Sequence, residues 1–174
     1  MRTFVKGLAA LSAALVVAIN PAAAAWAAPG GTSGWVPYQT SPFNLAAGVS
    51  CSFELSGDIV YDHELTRVVA TFADGTPQVQ EFQGALGVRF TNVGTGESIQ
   101  RDASGTLRAT FHEGGGSDWL FEGNGLAVIR TGNPSYPAGV YLLSGSVVYT
   151  VHPDGSREFT VQKGTIENMC QTLA

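Results

Sequence analysis

The stretch that decides the fold is YLLSGSVVYTV, residues Tyr141–Val151, in which apolar or small residues recur at every second position. Alternation with a period of two is typical of a β-strand with one buried face. A turn at Pro153–Ser156 follows and leads into a second predicted strand, Arg157–Lys163. This part of the chain therefore predicts an antiparallel hairpin whose buried face carries Tyr141, Leu143, Gly145, Val147, Tyr149 and Val151.

Short alternating stretches continue through the rest of the chain. The dipeptides Asp74-Gly75 and Asn124-Gly125 favour two-residue hairpin turns, and Asp62–Glu64 is predicted as a loop that joins two strands. Beyond the signal region described below, we find no stretch with apolar residues at helical spacing. The other predicted strands are Val49–Ser56, Leu65–Phe72, Val79–Phe82, Ala85–Val93, Glu97–Asp102, Thr106–His112, Trp119–Glu122 and Leu126–Arg130.

This number of short strands with hairpin connections predicts an all-β domain. One open sheet would leave a broad apolar face uncovered, so the sheet must close or fold over. Consecutive turn signals favour a single closed or nearly closed antiparallel β-barrel of about eight strands. The alternative is a two-sheet β-sandwich, because turn spacing separates the two architectures poorly.

The first residues predict export. Arg2 and Lys6 precede the apolar run Leu8–Ile19, and small residues follow up to Ala27. This arrangement is typical of a secretory signal peptide, and the run is shorter than the roughly 20 residues that a transmembrane helix needs. We therefore expect a secreted, extracellular protein with no membrane attachment after cleavage. The predicted organisation is a signal peptide at 1–27, a flexible lead-in at 28–42, onto which Trp35 and Tyr38 could dock, and a β-barrel domain at 43–174.

The charge argues against nucleic acid as a partner. The chain has nine basic and fourteen acidic residues. Two of the basic residues, Arg2 and Lys6, lie in the predicted signal peptide, so seven remain against fourteen and the mature net charge is −7. A surface that follows phosphates needs clustered Lys and Arg, whereas these seven are scattered singly through the predicted strands.

Cys51 and Cys170 are the two cysteines of the chain. In a secreted protein an even cysteine count favours a disulfide, which here would tie the beginning of the domain to its end. Two cysteines so far apart lack the short spacing of a zinc site. We therefore expect a disulfide, no metal and no other cofactor.

Candidate catalytic residues are few. Asp62-His63-Glu64 places an imidazole between two carboxylates, which could serve general acid or base chemistry, although neighbouring side chains of a solvated loop point in different directions. The histidines His63, His112 and His152 could bind zinc only if their loops met at one mouth of the barrel. No serine lies in a G-x-S-x-G turn. The catalytic residues are thus unknown from the sequence.

A binding role has more support. Aromatic residues fall on the faces predicted to point inward, and an eight-stranded barrel is wide enough to be filled by side chains or to hold one small ligand. If a cavity exists, the predicted ligand-binding residues are Trp119, Tyr141 and Tyr149, because their polar tips could orient a ligand that their rings enclose.

Several features occur together along most of the mature chain: the signal peptide, the early Cys51-Ser52-Phe53, the central segments Phe90–Gly96 and Arg101–Gly105, and the terminal Cys170. Their arrangement resembles small secreted bacterial β-barrel proteins of unassigned function. That barrel is similar in outline to the lipocalins and to the allene oxide cyclase and dirigent group. The lipocalin G-x-W signature is absent, since Gly34 and Trp35 are adjacent, so no ligand or chemistry of those families is carried over.

Three functions are compatible with the sequence. The leading hypothesis is a secreted, non-enzymatic protein that binds a small apolar ligand or an extracellular partner. The alternatives are a barrel-type cyclase or isomerase that uses a histidine or carboxylate at its mouth, and a secreted proteinase inhibitor whose contact loop is Thr131–Ala138. A cavity with an ionisable group would favour the enzyme, a dry apolar cavity would favour ligand carriage, and a filled interior would favour surface recognition.

Overall fold

The computed structural model of the protein describes residues 32–174, and the predicted signal peptide at 1–27 lies outside the described residues. The described part consists of antiparallel β-strands and one helix of a single turn, which confirms the all-β prediction. The elements are β1 (Val36–Tyr38), β2 (Phe43–Leu45), β3 (Leu55–Thr71), β4 (Pro77–Asn92), β5 (Ser98–Asp102), β6 (Gly105–Phe111), β7 (Ser117–Ile129), β8 (Gly139–Val151), β9 (Arg157–Asn168) and α1 (Met169–Thr172).

All nine strands belong to one sheet. Its order is β1-β3-β4-β6-β7-β8-β9, with β2 also paired to β3 and β5 also paired to β4. Among the described residues β9 pairs with β8 alone, so hydrogen bonds do not close the sheet and the closed barrel is not confirmed. β1 lies inside the segment predicted as a flexible lead-in, and Trp35 and Tyr38 contact the sheet through Arg67 and Phe82.

Three long hairpins, β3–β4, β6–β7 and β8–β9, make up most of the sheet and turn at the same end. Their turns have the same length and the same bond across the base, from Phe72 N to Thr76 O, from His112 N to Gly116 O and from His152 N to Ser156 O. The turns are spaced by 40 residues, and each has a glycine with positive φ at the same place, namely Gly75, Gly115 and Gly155. The sheet is therefore built from three copies of one hairpin.

A row of five glycines crosses the sheet halfway along these hairpins. Their backbones pair in register from β4 to β9, and four of them have a positive φ. A Cβ at Gly145 would overlap the backbone of Lys163, and a Cβ at Gly164 would overlap the carbonyl group of Ser144. The strands can therefore bend and approach along this line only because side chains are missing from it. The row consists of Gly84, Gly105, Gly123, Gly145 and Gly164.

The predicted turn at Asn124-Gly125 is wrong, because the chain bends at the neighbouring Gly123 of the glycine row and does not reverse its direction. Asn124 and Gly125 lie inside β7, where Asn124 N donates to Ser104 O and the Ser144 hydroxyl donates to Asn124 Oδ1. Residues that suit a hairpin turn also suit a bend in a continuous strand. The dipeptide alone does not distinguish the two.

Two other local predictions are also wrong. Most of Val49–Ser56 is a series of bends rather than a strand, and β3 begins only at Leu55. Val49, Cys51 and Phe53 still pack against the core, so the alternation records burial without strand pairing. Asp62–Glu64 lies in the middle of β3 rather than in a loop. A strand can carry these polar side chains because they face the N-terminal segment, where Thr40 N donates to Asp62, and do not face the core.

The interior is filled by two clusters of side chains. One lies between the start of β3, the end of β4 and the start of β8, together with residues before β3 and in α1. Its fully buried members include Leu55, Val88, Phe90, Val140 and Met169. The other lies on the opposite side of β8, and its members include Phe121, Ile129, Tyr141, Leu143, Val147 and Tyr149. The face predicted for Tyr141–Val151 is the face that carries the second cluster.

The two ends of the domain meet around the first cluster. Cys51 and Cys170 form a disulfide, as predicted, with their Cα atoms 5.2 Å apart. The Asn92 side chain donates to Leu173 O at 2.9 Å, and Arg101 on β5 forms an ion pair with Glu167 on β9 at 2.8 Å. These contacts bring β9 towards β5 without strand pairing. No helix in residues 32–174 is long and apolar enough to cross a membrane.

The disulfide should supply a large part of the stability. Cys51 and Cys170 are 119 positions apart, and crosslinking a loop of this length removes unfolded-state entropy equivalent to about 4–5 kcal/mol. We expect Cys51→Ser to lower the melting temperature by many degrees in thermal unfolding followed by circular dichroism. The double variant with Cys170→Ser should melt close to the single variant, and an unchanged transition would contradict the role of the crosslink.

The glycine row can be tested at Gly145, whose φ is +102°. Gly145→Ala adds backbone strain of about 1–3 kcal/mol and also the overlap with Lys163. Gly155→Ala is the matched control, since its φ is +84° and no atom lies within 4 Å of an added Cβ. Urea unfolding should show a larger loss of unfolding free energy for Gly145→Ala than for Gly155→Ala. Equal losses would mean that the close approach of the strands is unimportant.

Candidate functional site

The predicted ligand-binding residues lie on the second cluster with their polar tips already bonded. Tyr141 and Tyr149 are 3% and 9% exposed. The Tyr141 hydroxyl donates to Pro137 O at 2.8 Å, and the Trp119 indole donates to Ser117 Oγ at 2.7 Å. Burial raises the pKa of both tyrosines. Neither of the two clefts described below is lined by these three residues, and their role in ligand binding stays a prediction.

A first cleft of about 290 Å³, here called the sheet cleft, lies over the middle of β3, β4, β6 and β7. Its wall contains the apolar side chain of Leu120 and the ring of Trp35, which comes just before β1, whereas the Leu107 side chain packs against the second cluster on the other face of the sheet. The polar lining of the cleft comes from Arg67, Glu81, Gln83, Thr106, Arg108 and Glu122.

Strand register builds the centre of the sheet cleft. Arg67 on β3 lies opposite Glu81 on β4, and Glu81 lies opposite Arg108 on β6. Arg67 Nε donates to Glu81 Oε2 at 2.8 Å, and Arg108 Nη1 forms an ion pair with the other carboxylate oxygen. The Arg67 guanidinium also lies 4.5 Å from the centre of the Trp35 ring, a cation–π distance. The network therefore holds four side chains in fixed positions.

The electrostatics of the sheet cleft are balanced. The hydrogen bond from Arg67, together with the nearby charges of Arg67 and Arg108, lowers the pKa of Glu81. Glu122 is the second acidic residue of the lining, so two guanidinium groups face two carboxylates. The cleft thus offers donors and acceptors beside apolar surface, with no net charge from these four groups.

A second cleft of about 300 Å³, here called the loop cleft, lies between the loop after β7 and the turn before β9. Arg130 and Arg157 line it from the two sides, and Asp154 lies on its rim. Asn133 joins the walls, because its side chain accepts from Arg157 N at 2.7 Å and donates to Arg157 O at 2.8 Å. The Ser156 hydroxyl and N–H bind the Asp154 carboxylate and lower its pKa.

The loop predicted as an inhibitor contact, Thr131–Ala138, is fixed to the sheet rather than projecting freely. Asn133 Nδ2 donates to Tyr136 O at 2.7 Å, and the Tyr136 ring packs edge-on against Tyr141 and Phe159. Pro134, Ser135 and Pro137 remain exposed on the loop. No observation tests the inhibitor function itself, which stays a prediction.

The Asp62-His63-Glu64 constellation is separated by the alternation of β3. Thr40 N donates to Asp62 Oδ2 at 2.7 Å and the Thr40 hydroxyl donates to Glu64 Oε2 at 2.6 Å, so both carboxylates hold the N-terminal segment. Burial raises the pKa of Glu64, while the bond from Thr40 opposes that shift. His63 lies between the two in sequence and is exposed. The imidazole therefore does not bridge the two carboxylates.

His112 and His152 lie at the turns of two neighbouring hairpins, whereas His63 lies in the middle of β3. His112 Nε2 is 3.0 Å from Asp118 Oδ2, and His152 Nε2 is 2.9 Å from Glu158 Oε1. Within the described range, 32–174, no group of three or more His, Cys, Asp or Glu side chains is placed to hold a metal ion. The two pairs are exposed side-chain contacts at one end of the sheet.

Sequence reasoning missed the sheet cleft. Arg67, Glu81 and Arg108 are spread over 42 positions of the chain and look like separate outward residues of three strands. Only the register of β3, β4 and β6 brings them together. A comparison of the chain with models of protein families, with curated proteins and with solved structures finds no match.

Glu81 gives the sheet cleft a pH dependence that can be measured. Its folded pKa lies below the ordinary 4.5, so its ion pairs stabilise the fold fully well above pH 4.5 and lose that effect as the pH falls through the lowered value. Glu81→Gln should therefore reduce the unfolding free energy at pH 7 and approach wild type in acid. Urea unfolding across this range measures the difference, with the exposed Glu97→Gln as control. A difference independent of pH would contradict the ion-pair account.

Proposed function

We propose that the protein is a secreted, non-enzymatic binding protein that recognises an extracellular partner through the sheet cleft. The observation that carries this proposal is the contrast between the filled clusters and the half-open, polar cleft. Phe90, Val140 and Leu143 are fully buried, whereas Arg67 and Arg108 in the cleft keep 40% and 48% of their side chains exposed. A filled interior favours recognition at the surface over carriage of an apolar ligand.

The scaffold that we propose is an incompletely closed barrel, exported by the signal peptide at 1–27. The contacts of Arg101 with Glu167 and of Cys51 with Cys170 support the partial closure, since they join opposite ends of the sheet. The disulfide supports export, because such bonds persist in oxidising compartments outside the cytoplasm.

The chemistry of the sheet cleft favours a neutral polyhydroxylated partner, which is a glycan. A strongly charged ligand of either sign would be repelled by two groups of the lining. An anion would meet the carboxylates of Glu81 and Glu122, and a cation would meet the guanidinium groups of Arg67 and Arg108. Hydroxyl groups can donate to the carboxylates and accept from the guanidiniums, while the C–H face of a sugar ring can pack on Trp35 or Leu120. The ion pairs fix these groups beforehand, which reduces the entropy lost on binding.

The test uses the two tryptophans of the predicted mature chain, Trp35 in the cleft and Trp119 on the second cluster. A glycan array of neutral polysaccharides first identifies a ligand for the purified protein. Titration of that glycan should then change the fluorescence of the Trp119→Phe variant and leave that of Trp35→Phe unchanged. Glu81→Gln should weaken binding about tenfold, the loss expected when one charge-assisted contact is removed.

If the fluorescence of Trp35→Phe changes and that of Trp119→Phe does not, the proposal is contradicted and the ligand site predicted from the sequence is favoured. A fluorescence change that depends on Trp119 would place the ligand at Trp119, Tyr141 and Tyr149. Native mass spectrometry is the complementary measurement, because an apolar molecule retained by the purified protein would indicate carriage instead of surface recognition.

A further inference from the structure

The loop cleft contains a positive charge that the described part of the chain leaves uncompensated. Arg157 is half-buried, and no carboxylate among residues 32–174 lies within ion-pair distance of its guanidinium group. Nη1 of Arg157 donates to Val128 O at a long distance of 3.4 Å, and the Arg157 side chain also forms a hydrogen bond with the Tyr149 side chain. Its Nε atom is buried without a hydrogen-bond partner. Leaving a charged donor unpaired in this way is costly.

The surroundings of Arg157 suit an anion. Arg130 and Asp154 also line the cleft. The Asp154 carboxylate is already bound by the N–H and hydroxyl of Ser156 within its own turn. Gly132 and Gly155 line the cleft without side chains, and an added Cβ at either would meet no atom within 4 Å. A small group can therefore reach the backbone beside Arg157.

We propose that the loop cleft is a binding site for a carboxylate group, with Arg157 as its ligand. A guanidinium presents a planar fork of N–H donors that matches the two oxygens of a carboxylate. Binding turns the Arg157 side chain so that its Nε–H gains the acceptor that it lacks. The site is independent of the sheet cleft, and the two clefts differ in charge, since this one has two arginines and one carboxylate on its lining.

Nuclear magnetic resonance of the ¹⁵N-labelled protein tests the site directly. Sodium acetate is titrated at constant ionic strength, and the assigned Nε–H resonance of Arg157 should move and reach saturation. Arg157→Lys keeps the charge and removes the fork, so it should weaken acetate binding about tenfold. Arg89→Lys is the matched control on an exposed site of β4 and should bind as wild type.

A carboxylate could belong to a peptide terminus or to an acidic sugar, and two further pairs of probes separate these sources. The tripeptide acetyl-Ala-Ala-Ala is compared with its C-terminal amide, and galacturonate is compared with galactose. The acid of at least one pair should bind more tightly than its neutral partner. The proposal is overturned if the Arg157 resonance does not move, if Arg89→Lys weakens binding as much as Arg157→Lys, or if acids and neutral partners bind equally. If Arg157→Lys does not fold, the wild-type resonance and the probe pairs still decide the outcome.

Discussion

The glycine row is the constraint on which the rest of the structure depends. Strands of up to 17 residues would make a long, flat sheet with two wet faces. Removing the side chains along one line lets the backbones of neighbouring strands approach, and the positive φ at Gly123 or Gly145 bends each strand there. The sheet can then curve enough to cover apolar side chains on both sides of β8.

The curvature decides where a ligand could bind. Both sides of β8 are buried near its start, so the aromatic residues of the second cluster fill space and bond their own polar tips inside the protein. Beyond the glycine row the second cluster still buries one face of these strands, including Val147 and Tyr149. The other face is more exposed and carries charged residues such as Arg67 and Arg108. The two clefts therefore lie outside the packed core, one over the hairpins and the other beside the loop after β7.

The sequence predicts well what depends on neighbouring residues and poorly what depends on pairing between strands. The hairpin of Tyr141–Val151 with Arg157, the turn at Asp74-Gly75 and the disulfide follow from alternation, turn chemistry and cysteine count. The bend at Gly123, next to the dipeptide that predicts a turn, cannot be predicted in this way, because it depends on the pairing of Gly123 with Gly105 and Gly145 on the strands at either side. The sheet cleft is missed for the same reason, since each of its charged residues looks like an ordinary solvent-facing strand position.

The three copies of the hairpin allow structural and functional residues to be separated within one chain. Glycines at the turns and in the bend recur from copy to copy, because each copy needs the same backbone path. One row of residues that pair across the strands differs between the copies. It consists of Arg67 and Glu81 in the first copy, Arg108 and Leu120 in the second, and Val148 and Thr160 in the third. The fold accepts apolar and neutral residues at this row in the third copy, so the backbone does not require the ion pairs of the first. This difference between the copies supports the proposal that the charged residues of the sheet cleft take part in recognition.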